Sequence, residues 1–431
     1  MTEELVALLA GKEVGRVRRD ARGRLTFVYD EAWRETPGAY PLSLSMPLAS
    51  AEHRPAAIEA FLWGLLPDNE LVLSRWAQKF QISARSAFAF ISHVGEDCAG
   101  AVQFVSPDRL KIMQSGHQDA VEWLDEKRIA ERLKALREDH AAWRLPRDTG
   151  QFSLAGAQPK TALLLKDGRW GIPSGRIPTT HILKPPTGRF DGHAENEHIC
   201  LSLARSLGLP AAQSKVLRFE KEIAIAVERY DRLQSGKEVI RVHQEDMCQA
   251  LGIMPTKKYQ NEGGPDSADC VDLLRTQSSE READVGTFVH ALGFNWLIAG
   301  TDAHAKNYSL LIAEGPRVRL APLYDLASVL PYDEFDIHKV KLAMKVGGEY
   351  KLNQIGLRQW QKFAREVRVD ADKLVMDLRA MASKLPDAIN DAQKRARKEG
   401  LDHAIIDSLA ARLTQWVEAC SNSLMMSKKE S

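Results

Sequence analysis

What the chain lacks narrows its function before any motif is read. Its five cysteines (Cys98, Cys200, Cys248, Cys270 and Cys420) are scattered, odd in number and free of any C-x-x-C pair. That usage fits a reducing compartment rather than a disulfide framework. No H-E-x-x-H motif or paired Cys/His spacing occurs, which argues against a zinc site. There is no run of about 18 apolar residues, and the Met-Thr-Glu-Glu start has no basic segment leading into an apolar stretch. Membrane spanning and secretion are therefore not expected, and the sequence reads as cytoplasmic. Net charge is nearly absent as well: 59 basic residues against 58 acidic ones leave +1. No global field draws in nucleic acid or an anionic membrane, so any basic patch must be local. Fixed-period repeats and low-complexity tracts are also missing.

What remains is an ordinary globular composition, 44% hydrophobic and 27% charged over 431 residues. At roughly 100–200 residues per domain, that length predicts two to four structural units. Residues 1–30 alternate short apolar runs with turns and predict small strands, and apolar spacing of three and four from Ala56 to Ile91 predicts helices beneath them. This first unit is expected to end near residue 105. Ala120–Leu136 reads as helical, and Arg144–Gln151 as a polar connector. Thr161–Lys166 and Arg169–Ile172 flank Asp167-Gly168, a two-residue hairpin turn. Thr180–Lys184 reads as a third strand and Glu195–Leu207 as a helix stopped at Gly208. Val216–Phe219 and Ile223–Arg229 predict another hairpin. Beyond about residue 243 the pattern is mainly helical, with one hairpin near 308–320. The basic run Lys394–Lys398 reads as a solvated helix face. The expected fold class is α+β, with a β-rich lobe preceding an α-rich one.

The most informative segment is Thr301-Asp302-Ala303-His304-Ala305-Lys306-Asn307, followed by Leu323-Tyr324-Asp325. In phosphoryl transfer a carboxylate orients the attacking hydroxyl, an Asn five residues on can ligate Mg²⁺, and a second Asp holds the metal that bridges the phosphates. Alone, D-x4-N is weak. The hairpin expected between Asn307 and Asp325 would return the chain to the same place and sharpens the signal. A preceding helix with Val285, Phe288, Val289, Leu292 and Trp296 on one face, ended by Gly300, would anchor the loop. A second constellation runs from Phe152 to Thr161, where small residues let backbone N–H groups approach phosphates and Lys160 supplies charge. It is not a Walker A loop. Lys184, at a strand end, could reach the α- and β-phosphates, with Glu195 and Glu197 on the following helix.

Taken together, these segments resemble the HipA family of toxin kinases over nearly the whole chain. The likeness also rests on Pro41–Leu48, Leu65–Asp68, Pro178–Lys184, Ala226–Arg232 and Gln244–Gln249. It implies a two-lobed protein-kinase-like fold with an extra N-terminal β-rich subdomain (1–105), a kinase N-lobe (106–240) and a helical C-lobe (241–431). Asp302 would be the catalytic base, with Asn307 and Asp325 as Mg²⁺ ligands. Ala155, Gly156, Ala157, Gln158, Pro159 and Lys160 would cover the ATP phosphates, which Lys184 would contact. Glu228, Arg229 and Tyr230 would form the adenine-binding hinge, and His304, Ala305, Lys306 and Tyr324 would border the nucleotide. Ser153 falls where such kinases phosphorylate themselves. The resemblance further implies a helix-turn-helix antitoxin like HipB, operator DNA reached through that complex, and an aminoacyl-tRNA synthetase as substrate. Arg365 and Arg368 would lie near DNA phosphates. Two departures stand out: Pro159 replaces an acidic residue and removes an N–H, and the segment after Lys184 is short. Two rival readings remain. One is a small-molecule kinase, although Gly300 stands where such enzymes usually carry His. The other is a catalytically silent co-repressor.

Overall fold

The computed structural model describes residues 3–116, 119–139, 152–188, 190–236, 238–315 and 317–425. The expected connector 144–151 lies outside the described residues. The chain divides into two compact units. One comprises residues 1–185, 217–256 and 309–319, and the other 186–216, 257–308 and 320–431.

The first unit holds most of the strands. β1 (Glu3–Leu9), β2 (Lys12–Arg19), β3 (Leu25–Tyr29), β4 (Glu52–His53) and β5 (Val102–Val105) form an antiparallel sheet in the order β4-β3-β2-β1-β5. Leu25, Phe27 and Tyr29 alternate inward along β3, the two-residue period of a sheet with one covered face. Helices Pro55–Gly64, Glu70–Phe80 and Ala87–Val94 follow, as the three-to-four spacing predicts.

The second sheet contains β6 (Ala120–Leu124), β7 (Thr161–Lys166), β8 (Arg169–Ser174), β9 (His181–Lys184), β10 (Ser214–Phe219) and β11 (Glu222–Glu228), in the order β10-β11-β9-β7-β8-β6. Asp167 and Gly168 both take positive φ, at 51° and 74°, as a tight two-residue turn requires. One expectation fails in this sheet: Ala120–Leu136 is not a single helix. Its first five residues pair with β8, and Asp125 then caps a helix at Glu126–Glu138 by accepting from Arg128 N at 2.8 Å.

A short hairpin of β12 (Arg232–Ser235) and β13 (Glu238–Arg241) leads to β14 (His243–Asp246). β14 pairs with β15 (Ser309–Ala313), and β16 (Arg317–Leu320) completes a three-stranded sheet. A further pair, β17 (Lys341–Val346) and β18 (Glu349–Lys351), corrects the expectation of a single hairpin after residue 243. Its turn is Gly347-Gly348, both with positive φ.

The second unit is mainly helical, with its longest helices at His193–Ser206, Arg281–Leu297, Ala371–Lys398 and Ile405–Met425. Phe288, Phe294 and Trp296 are fully buried along the second of these. Trp296 packs edge-on against Trp360, and its Nε1 donates to Leu352 O at 3.3 Å. Burying one such indole contributes on the order of 4–6 kcal/mol, which makes this helix a fixed base for the loop that follows it. No helix among the described residues is long and apolar enough to cross a membrane.

Candidate active site

The expected site residues fall into two groups, one in each unit. In the second unit the buried helix Arg281–Leu297 ends in an abrupt reversal. Gly300 N donates to Asn295 O at 2.7 Å, and Val329 N donates to Ala299 O at 3.2 Å. The left-handed residue is Ala299, with φ 52°, rather than the glycine expected to stop the helix. Gly300 meets a different constraint, because a Cβ there would stand 2.4 Å from Asn295 Oδ1. That amide is itself fixed, since its nitrogen donates to Ala291 O at 3.0 Å.

From this anchor the chain turns through residues 301–308. Asp302 is exposed, whereas His304, Ala305, Lys306 and Asn307 are buried. Tyr259 Oη donates to Asp302 Oδ1 at 2.6 Å and holds one carboxylate oxygen in place. The Asn307 side-chain nitrogen donates to Asp302 O at 2.6 Å. A carbonyl can only accept, so this bond settles which end of the amide faces inward and turns the amide oxygen the other way. His304 braces the turn: its N donates to Asp302 O at 2.8 Å, its carbonyl accepts from Asn307 N at 2.9 Å, and its ring meets Tyr259 edge-on.

Asp325 reaches this loop through its neighbour, as Tyr324 Oη donates to Lys306 O at 2.6 Å. On the other side Leu323 is bracketed by Pro210 O and Ala212 N, both at 2.8 Å. Asp325 itself takes φ 56°, a left-handed conformation that Asp tolerates better than most side chains. Asp302, Asn307 and Asp325 are thus carried by segments bonded to one another. Oxygen donors from an amide and a carboxylate suit Mg²⁺. Among the described residues no group of three or more His, Cys, Asp or Glu forms a metal cage.

In the first unit Lys160 Nζ donates to Ala155 O at 2.7 Å, closing the small-residue loop on itself. The loop rests on the segment that follows the helix Pro55–Gly64. Ser153 is wholly buried, its Oγ donating to Leu65 O at 2.7 Å, and Asp68 N donates to Gly156 O at 3.1 Å. Lys184 is buried on β9, where it lies opposite Ile225 of β11. At the expected hinge, Arg229 N already donates to Thr180 O at 2.9 Å, and Tyr230 Oη bonds Gln244 Oε1.

The Arg229 side chain belongs to a buried ion cluster that the sequence did not disclose. Asp97 pairs with Arg229, Arg232 and Arg241, and Asp231 pairs with the first two. Burial alone would push the Asp97 carboxyl up. The guanidiniums of Arg241, Arg232 and Arg229 and the Thr179 hydroxyl outweigh it and hold the carboxyl well below the usual range. Because Asp97 O also accepts from Ser153 N at 2.9 Å, this cluster underlies the small-residue loop.

Arg365 and Arg368 are both exposed in the second unit, and Arg368 pairs with Asp272. Tyr259 and Asp97 are the two residues of evident importance that sequence reasoning missed. Each acts on a partner more than 40 positions away, and neither stands in a distinctive pattern.

Comparison with known proteins now supplies the family. Residues 5–105 match the HipA N-terminal domain and residues 152–391 the HipA-like C-terminal domain. The protein Y4mE of Sinorhizobium fredii is 38% identical over 366 residues, 83% of this chain and 84% of that one. The serine/threonine-protein kinase toxin HipA of Shewanella oneidensis is 29% identical over 377 residues, 84% of this chain and 82% of that one. A solved complex of HipA, HipB and operator DNA from Shewanella oneidensis MR-1 contains a chain that superposes with TM-score 0.82 at 27% identity, covering 97% of both. With the α+β, protein-kinase-like fold that the sequence led us to expect, the chain belongs to the HipA family.

Proposed function

We propose that this protein is an ATP-dependent serine/threonine kinase acting as the toxin of a toxin–antitoxin pair. The observation that carries the reading is the Asn307 amide, whose nitrogen is tied to the Asp302 carbonyl so that its oxygen is turned away from it, on a loop bonded to the segment bearing Asp325. The Asp302 carboxylate, steadied at one oxygen by Tyr259, would take the proton of an attacking hydroxyl. Asn307 and Asp325 would hold Mg²⁺, which when bound offsets charge on the transferred phosphoryl group. Lys160 and Lys184 supply positive charge for the ATP phosphates, and the residue 155–160 loop would cover them. The relative named as a kinase toxin supports the same assignment.

In this reading Ser153 is a self-modification site with a steric consequence. Its hydroxyl is buried against Leu65, so it must leave before phosphate can be added, and a group of charge near −2 has no room to return. Autophosphorylation would hold the loop out and end activity. A helix-turn-helix antitoxin and operator DNA are inferred from the complex formed by the Shewanella protein, and an aminoacyl-tRNA synthetase remains our inferred substrate class. Arg365 and Arg368 are proposed to lie near DNA in such a complex.

The decisive experiment is labelled-phosphate transfer from ATP by wild type and Asp302→Asn, with phosphosite mapping. Wild type should label a protein hydroxyl, and Asp302→Asn should be slower by roughly 10²–10⁴-fold. Transfer by neither would favour a silent co-repressor, and transfer to a sugar or aminoglycoside would favour a small-molecule kinase. Phosphate at Ser153 without loss of activity would refute self-inactivation.

A further inference from the structure

The second unit contains a cavity of about 280 Å³ that has no part in the proposed chemistry. Its walls are the helix His193–Ser206, residues 213–215 and the far end of the helix Ala371–Lys398. Three cationic side chains line it, Arg205, Lys215 and Arg395, with Glu399 as the single carboxylate. His198 adds a ring whose nitrogens meet Ser214 Oγ at 3.0 Å and Glu399 Oε2 at 3.2 Å.

Charge is out of balance here. Arg205 gives one nitrogen to Ala212 O and Arg395 gives one to Ser202 Oγ at 3.1 Å, and among the described residues neither guanidinium makes an ion pair. Both stand in the last turn of their helices, where carbonyl ends favour cations. They still oppose each other: burial first, then the positive charge of Arg395, lowers the Arg205 guanidinium from its ordinary value, and Glu399 only partly offsets this. Burial likewise lowers His198, and the Glu399 carboxylate only partly opposes this. The Ser202 hydroxyl, which accepts from Arg395, adds a donor to the lining.

Guanidinium forks, an ammonium and hydroxyls around a concave space match the oxygens of a phosphate or diphosphate group. We propose that this cavity binds a small phosphorylated anion, independently of the nucleotide site. Such a ligand would cancel the repulsion between Arg205 and Arg395. Lys215 and Arg395 are exposed at the rim and would close over it.

Calorimetric titration of the full-length protein with inorganic pyrophosphate tests this. Three variants separate the outcomes. Lys215→Gln with Arg395→Gln should weaken binding at this site at least tenfold while the thermal midpoint stays unchanged. Glu399→Gln should tighten it by roughly two- to fivefold, the range for one exposed charge, and misfolding cannot mimic a gain. Lys160→Ala should leave it intact, because that lysine belongs to the other unit. Binding that is lost in Lys160→Ala and unaffected by the other substitutions would overturn the proposal, as would no measurable binding by wild type. Since no arm reads phosphoryl transfer, failure of the kinase reading would leave this result standing.

Discussion

Glu245→Gln should stabilise the protein, and the gain should grow with pH. Glu245 lies on β14 opposite Leu310, is wholly buried and accepts a hydrogen bond from Leu44 N at 2.7 Å. Burial outweighs the hydrogen bonding from Leu44 and Ser43 and pushes its carboxyl from 4.5 up to about 8. At 1.36 kcal/mol per tenfold change in proton affinity, this amounts to roughly 5 kcal/mol of penalty on the ionised form. The unfolded chain gives up the proton near 4.5, whereas the native chain keeps it to about 8. Between those values the native state binds more protons, so stability falls as pH rises through the window and levels off above it. From pH 5 to pH 8 the wild type should lose roughly 3–4 kcal/mol through this one group. Glutamine keeps the acceptor for Leu44 and cannot ionise. Urea denaturation of both proteins, followed by tryptophan fluorescence at a series of pH values, should show variant-minus-wild-type stability rising across the window. Parallel pH profiles would mean that Glu245 is not held neutral, and the argument would fail.

Other substitutions probe the rest of the frame. Asp97→Asn leaves three buried arginines facing Asp231 as the sole carboxylate of the cluster and should cost about 3–5 kcal/mol in denaturant. Because Asp97 titrates low, the wild type should also lose stability as pH falls below the ordinary carboxylate value of 3.8 toward the lower native one. Gly300→Ala forces a methyl against the fixed Asn295 amide and should cost about 1–3 kcal/mol, together with a fall in kcat that thermal melting alone would not reveal. Tyr259→Phe removes the hydrogen bond to Asp302 Oδ1 and should lower kcat by roughly tenfold, consistent with loss of one charge-assisted hydrogen bond, with KM for ATP unchanged.

Much of this architecture could be read directly from residue patterns. Strands with clean alternation, such as β3, and hairpins marked by Asp167-Gly168 were legible because each signal lies within a few positions. The D-x4-N loop was legible for the same reason, since Asn307 bonds its own neighbourhood at Asp302. The misreading at Ala120–Leu136 came from a strand running directly into a helix with only Asp125 between them, which merged two periods into one. The β17–β18 hairpin did carry a mark in Gly347-Gly348, flanked by alternating Leu342, Met344 and Val346, but the surrounding helical pattern masked it. Tyr259 and Asp97 left no local trace. Their partners are set by tertiary packing, and a tyrosine or an aspartate in a mixed segment looks the same whether it orients a distant carboxylate or faces water.

The footing of the small-residue loop bears on how this chain can be cut. Leu65 accepts the Ser153 hydroxyl, Asp68 holds Gly156, and Asp97 receives the Ser153 amide, all from the stretch matched by the HipA N-terminal domain. A shortened protein beginning after that stretch would keep every residue proposed for catalysis and lose the floor beneath the loop at residues 155–160. The amino-terminal segment is thus scaffolding that must be inherited along with the part it supports, and chimeras between relatives should preserve activity only when both pieces come from the same parent.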